Sequence, residues 1–128
     1  MGSWRIDTTA WPVALHTVEG TLSDEEIDAY VAEATTQLMR GERHVTIMDA
    51  RNFGRVSAYT RARSMHWQRD HRQQLATFCA GAAYVLSSPL MRFMAMNLLF
   101  LVRPPTPYLI CGTVEEALDW ARERLGTD

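Results

Sequence analysis

Apolar and polar residues alternate along Trp11-Pro12-Val13-Ala14-Leu15-His16-Thr17-Val18. Val13, Leu15 and Thr17 fall on one side, and Ala14, His16 and Val18 on the other. That period of two predicts a strand. Trp4 to Asp7 reads as a shorter strand, and the two together predict an antiparallel hairpin at a sheet edge, closed off by Gly20. The period then changes. Ser23 is followed three residues later by Glu26, a capping box, with Asp24 and Glu25 in the first turn where the helix dipole favours acids. Ile27, Tyr30, Val31, Ala34 and Leu38 recur at helical spacing as one apolar stripe, and Arg40 and Gly41 end the helix.

His44 to Ala50 (HVTIMDA) reads as a central strand, apolar enough to be covered on both faces, with Asp49 at its C-terminal end. Arg51-Asn52-Phe53-Gly54-Arg55-Val56 leads to Ser57, an N-cap, and to a second helix over about Ala58–Phe78. That helix is basic, and its apolar residues make no single stripe. Ala80 to Leu86 (AGAAYVL) is a further strand whose small residues admit a closely packed helix. Ser87, Ser88 and Pro89 open a third helix, Leu90 to Val102, with Ser88 as N-cap and proline in the first turn. The Arg103-Pro104-Pro105-Thr106-Pro107 connector stops it, Tyr108 to Cys111 is the last strand, and Thr113 with Glu116 caps a fourth helix. The alternation predicts an α/β fold: a mostly parallel four- to five-stranded sheet, an antiparallel N-terminal edge strand and four helices, all in one domain over residues 1–128.

Composition adds three points. Apolar residues make up 47% of the chain, enough for a sizeable core. Cys79 and Cys111 sit in apolar surroundings without framework spacing, and no secretory segment precedes Trp11, so a reducing cytoplasm is expected. All 13 basic residues are arginine, ten of them between 40 and 103, flanked by acidic ends. No stacking aromatics interleave with these arginines, so nucleic acid is not an expected partner.

Chemical motifs are few. There is no phosphate-binding glycine loop and no nucleophile elbow. His66 and His71, five apart, do not share a helix face, so neither a metal nor a cofactor is expected. Ligands of open parallel sheets bind beyond the C-terminal strand ends. Asp49, Arg51, Asn52, Ser57, Ser87, Ser88 and Thr113 fall there as a candidate ligand edge, although Ser57, Ser88 and Thr113 also read simply as caps. The third helix holds more large apolar residues than one sheet-facing stripe needs. Met91, Met94, Leu98 and Phe100, with Trp67 of the second helix, are candidate interface residues. The surplus fits a helix sandwiched in the core, a self-association surface, or a contact with a small apolar ligand or a membrane surface. At this length it does not cross a bilayer, which takes about 20 residues.

The early strand ending in Glu19-Gly20, the capped acidic helix, HVTIMDA ending in Asp49, the long polar second helix and the closing Glu115-Glu116-Ala117-Leu118-Asp119-Trp120 together resemble the STAS-like superfamily. This is the fold of the anti-sigma-factor antagonists, and the likeness is to its small stand-alone bacterial branch. The resemblance implies a regulatory binding module rather than an enzyme, in some members switched by phosphorylation at the start of the second helix. Ser57 is then the candidate phosphorylation site. The family's Asp-Ser-Ser-Gly signature is absent, and the stretch reads Arg55-Val56-Ser57-Ala58. The expected function is a non-enzymatic regulatory or interaction module, pairing with itself as a homodimer or with another protein. A carrier or sensor of a small apolar ligand or lipid is the alternative, and an enzyme using the Asp49 edge the third choice.

Overall fold

The computed structural model describes residues 2–126. In chain order the elements are β1 (Ser3–Asp7), β2 (Val13–Glu19), α1 (Asp24–Leu38), β3 (His44–Asp49), α2 (Ala58–Asp70), α3 (Arg72–Phe78), β4 (Cys79–Val85), α4 (Pro89–Val102), β5 (Tyr108–Cys111) and α5 (Val114–Leu125). The five strands lie in sequence order in one sheet. β1 pairs antiparallel with β2, and β2, β3, β4 and β5 run parallel. The architecture is the α/β fold that the alternation predicts.

The helix count differs by one. The second predicted helix is two, because the chain bends at His71 (φ −113°, ψ 19°). There the Trp67 carbonyl accepts from the His71 amide at 3.0 Å and lies 2.9 Å from the His71 Nδ1. A side chain competing for a helical carbonyl is a local cause of bending. The amide of Leu75 still bonds to the His71 carbonyl, so α3 resumes at once.

Strand alternation gives the sheet two unlike faces. On one, Val13, Val45, Ile47, Ala83, Val85 and Cys111 form a dry core with Ala117 and Ala121 of α5. Val45, Ile47, Ala83, Ala117 and Ala121 are fully buried. Gly81 lets α5 come this close: a Cβ there would stand 2.6 Å from the Trp120 ring. On the other face, Ile27 and Val31 of α1 cluster with Val18 of β2 and Leu22, with Trp4, Phe53 and Trp67 packed around them. The Ser23–Glu26 capping box forms as predicted. Arg63 and Tyr59 of α2 both reach Asp28 of α1, at 3.1 and 2.6 Å, and orient the two helices on the surface.

The Gly81 contact is testable. Gly81→Ala forces the partly exposed Trp120 ring to move off β4, and overpacking of this kind costs about 1–3 kcal/mol. Urea unfolding should show a lower midpoint at unchanged m. An unchanged midpoint would mean that α5 does not press on β4 as described.

Candidate functional site

The sequence points first to the C-terminal edge. Asp49, Ser87 and Thr113 follow or end the neighbouring strands β3, β4 and β5, so the topology aligns them. Their local roles are specific. Both Asp49 carboxylate oxygens accept from the Arg51 guanidinium, Nε and Nη2 each at 2.9 Å. This fork holds the Asp49 carboxyl below its usual range and keeps Arg51 charged. The Asn52 carbonyl accepts from the Gly20 amide at 2.9 Å, tying the loop to the end of β2. Ser57, Ser88 and Thr113 cap α2, α4 and α5 by accepting from the amides of Thr60, Met91 and Glu116. The Ser87 carbonyl accepts from Arg92 at 3.0 Å.

Ser57 also donates its hydroxyl hydrogen to Thr60 Oγ1 at 3.0 Å. His66 is exposed, and the His71 ring stacks near Trp67, so the two histidines do not converge. No group of three or more His, Cys, Asp or Glu residues is placed to hold a metal among the described residues. Cys79 and Cys111 are both buried and unpaired with one another, and burial pushes both thiols up.

The candidate interface residues divide. Met91, Met94, Leu98 and Phe100 lie exposed on α4, whose main neighbour is the edge strand β5. Only Leu99 of α4 is buried, at 9% exposure. Trp67 does not share that surface. It sits half-buried over the opposite part of the sheet, donating its indole N–H to Thr35 Oγ1 of α1 at 2.7 Å.

The structure adds a feature that the sequence reading does not single out. Between the sheet and α1, α2 and α3 lies a cavity of about 280 Å³. Its floor follows the register: His16, Met48 and Tyr84 stand side by side on β2, β3 and β4, with Thr46 and Ala82 paired beside them. Tyr30, Ala34 and Gln37 of α1, Trp67 of α2 and Leu75 of α3 make the walls and roof, and Pro104–Thr106 closes one side. The signal for it is present in AGAAYVL. Small residues on both faces of β4 let α5 approach on one side, but on the other Ala82 meets no large side chain that fills the space.

His16 Nδ1 is 2.7 Å from the Tyr30 hydroxyl, while that hydroxyl is 3.8 Å from Met48 Sδ. The short contact to nitrogen is the better use of the single phenolic hydrogen, which makes Nδ1 the acceptor and assigns the ring hydrogen to Nε2. Desolvation drives the His16 pKa down to about 4, with His44 nearby adding to the shift. Burial raises Tyr30 and pushes Tyr84 up to about 12. The cavity lining is therefore uncharged at neutral pH.

Two measurements check this geometry. Folded His16 binds its proton more weakly than the unfolded chain, so its stabilising effect is complete above pH 6.5 and is lost as pH falls toward about 4. The full loss is about 3 kcal/mol, and His44, also lowered by burial, adds in the same direction. Urea midpoints between pH 7 and 4.5 should fall steeply for the wild type and much less for His16→Gln; parallel slopes would contradict a neutral buried ring. At Ser57, replacement by alanine should cost about 1 kcal/mol and by aspartate nearly nothing, because aspartate caps as well as serine. Equal losses for the two would mean that the hydroxyl does more than cap.

No protein-family model matches the chain, and no curated protein matches it in sequence. Among solved structures it is similar to an uncharacterized DUF3478-family protein with a SpoIIAA-like fold from Shewanella loihica. The TM-score is 0.73 and the identity 14%, over 94% of this chain and 93% of that one. It is also similar to the anti-sigma factor antagonist SpoIIAA in its unphosphorylated form, with TM-score 0.65 and 16% identity over 94% and 98% of the two chains. At these identities the likeness is one of fold, and the fold of this chain is STAS-like.

Proposed function

We propose that this protein is a non-enzymatic regulatory interaction module that works as a homodimer joined through α4. The observation that carries this reading is the state of that helix. Nine large apolar side chains between Leu90 and Val102 are exposed, from 37% at Val102 to 79% at Leu101. At on the order of 100 Å² each they expose roughly 900 Å² of apolar surface, spread around about two-thirds of the helix. The largest apolar patch on a soluble monomer is about 300–600 Å², and a standard interface covers about 800 Å² per partner. A twofold pair of α4 helices presents each patch to its own copy, and the three methionines of the segment, Met91, Met94 and Met96, adapt to an imperfect neighbour.

Two further points support the reading. Asp49, the carboxylate that a reaction at the strand edge would use, has both oxygens engaged by Arg51. The fold is shared with an anti-sigma factor antagonist, which makes a regulatory role for this chain the natural one. No helix among the described residues is long and apolar enough to cross a membrane, so a transmembrane role does not account for α4.

Sedimentation equilibrium tests the proposal. The wild type should be dimeric at micromolar concentration, whereas Met94→Glu and Phe100→Glu should each be folded and monomeric, since a buried unpaired carboxylate opposes association. A wild type that stays monomeric at high micromolar concentration overturns the proposal. So does a dimer that survives both substitutions.

A further inference from the structure

We infer that the cavity between the sheet and α1–α3 is a binding site for a small uncharged molecule, mainly aromatic or apolar, that carries one hydroxyl or carbonyl oxygen. This site is separate from the α4 surface and does not depend on dimerisation.

Size is the first argument. Packed protein interiors hold few voids larger than a water molecule, because lining atoms without neighbours forfeit their dispersion contacts. A concave space of about 280 Å³ over the central strands, open to solvent on one side, leaves such atoms without neighbours, and concave sites of this kind are where small molecules bind. Its effect is visible in exposure. Val45, Ile47 and Ala83 are sealed on the α5 face, while Thr46, Met48, Ala82 and Tyr84 of the same two strands stay half-buried on the other. The volume suits a molecule of on the order of ten to fifteen non-hydrogen atoms.

Chemistry is the second. Among the described residues no Arg, Asp or Glu lines the cavity, although the chain holds 28 such residues. An ionised ligand would be buried there without a counter-charge, at a large desolvation cost. The apolar lining includes the rings of Tyr30, Trp67 and Tyr84, which favours a flat ring system.

The third argument is a polar handle. Tyr30 occupies His16 Nδ1, and Nε2 has no hydrogen-bond partner among the described residues. No buried side-chain nitrogen or oxygen there is left unsatisfied. Nε2 must therefore face open space, and the open space that His16 lines is the cavity. The Nε2–H donates to a ligand oxygen, and the Tyr84 hydroxyl, two strands away in the same row, stands on the floor to meet the same molecule. Water is the competing occupant, since Thr46, Ser64, Gln68 and Tyr84 also line the space, and a ligand gains by displacing it from the apolar part of the lining. Exposed Ser64 on α2 and half-buried Pro104 and Pro105 mark where the cavity opens to solvent.

The experiment compares two ring systems of one shape. 2-Naphthol, neutral at pH 7, and 2-naphthoate, anionic at pH 7, are titrated into the full chain by calorimetry. 2-Naphthol should bind saturably with one site per chain, and 2-naphthoate at least tenfold more weakly. Ala82→Leu and Ala34→Leu, which fill the space from the floor and from α1, should each weaken 2-naphthol at least tenfold while keeping a cooperative unfolding transition. His16→Phe should weaken it several-fold by removing the Nε2–H. Met94→Glu, which acts on α4, should leave it unchanged. The inference is overturned by absence of saturable binding at millimolar 2-naphthol, by naphthoate binding as tightly, or by folded cavity-filled variants that bind like the wild type. Loss of binding in Met94→Glu also overturns it, because the probe would then sit on α4.

Discussion

How closely a helix can approach β4 governs the rest of this molecule. β4 is built from Cys79-Ala80-Gly81-Ala82-Ala83-Tyr84-Val85, so for most of its length it presents almost no side-chain volume to either face. α5 exploits this on one side: Ala117 and Ala121 meet Ala83, and the Trp120 ring covers Gly81. No comparable element comes down on the other side. α1 rests on the β1 side, with Trp4, Val18 and Phe53 around it, α3 touches β4 at its start, and the three helices bridge the space over His16, Met48 and Tyr84 without filling it. The dry core, the cavity and the half-exposed floor all follow from small residues on both faces of β4 and one close-packing helix.

The edge of the parallel strands and the cavity illustrate two kinds of polarity. At the edge, charged and hydroxyl groups are paired locally: Asp49 with Arg51, each capping oxygen with an amide of its own helix. In the cavity, His16 and Tyr84 are neutral, desolvated and only partly engaged. A polar group that has spent its hydrogen-bonding capacity on its neighbours adds order to a loop, whereas one with capacity left in a low-dielectric space favours a ligand that can use it.

The fold is legible in the sequence because each of its signals is local. The period of two in Val13–Val18, the Ser23–Glu26 box and the Ser88-Pro89 start are decided within a turn or two of chain, and all appear where expected. The bend at His71 is less legible, since it turns on a side chain competing for one carbonyl inside an otherwise helical run. The cavity is the least legible feature. Alternation places His16 on one face of β2, and the small residues of β4 are plain. Whether a helix fills the space above Ala82 is set by how α1, α2 and α3 arch over the sheet, and no single segment encodes that. Trp67 shows the same limit: its composition fits an exposed apolar group, but its position over Thr35 is decided by the packing of α2 on α1.

The unequal faces also divide how freely the sequence can change. Exchange toward larger residues at Gly81, Ala83, Ala117 or Ala121 meets a surface already in contact, so that side of the sheet is held to its present residues by volume alone. Positions bordering the open space, such as Ala34, Thr46 and Ala82, carry no such restriction, and a change there reshapes a void instead of colliding with a neighbour. A lineage carrying this chain could therefore alter one face repeatedly while the other keeps the architecture constant, with selectivity drifting on a scaffold that does not.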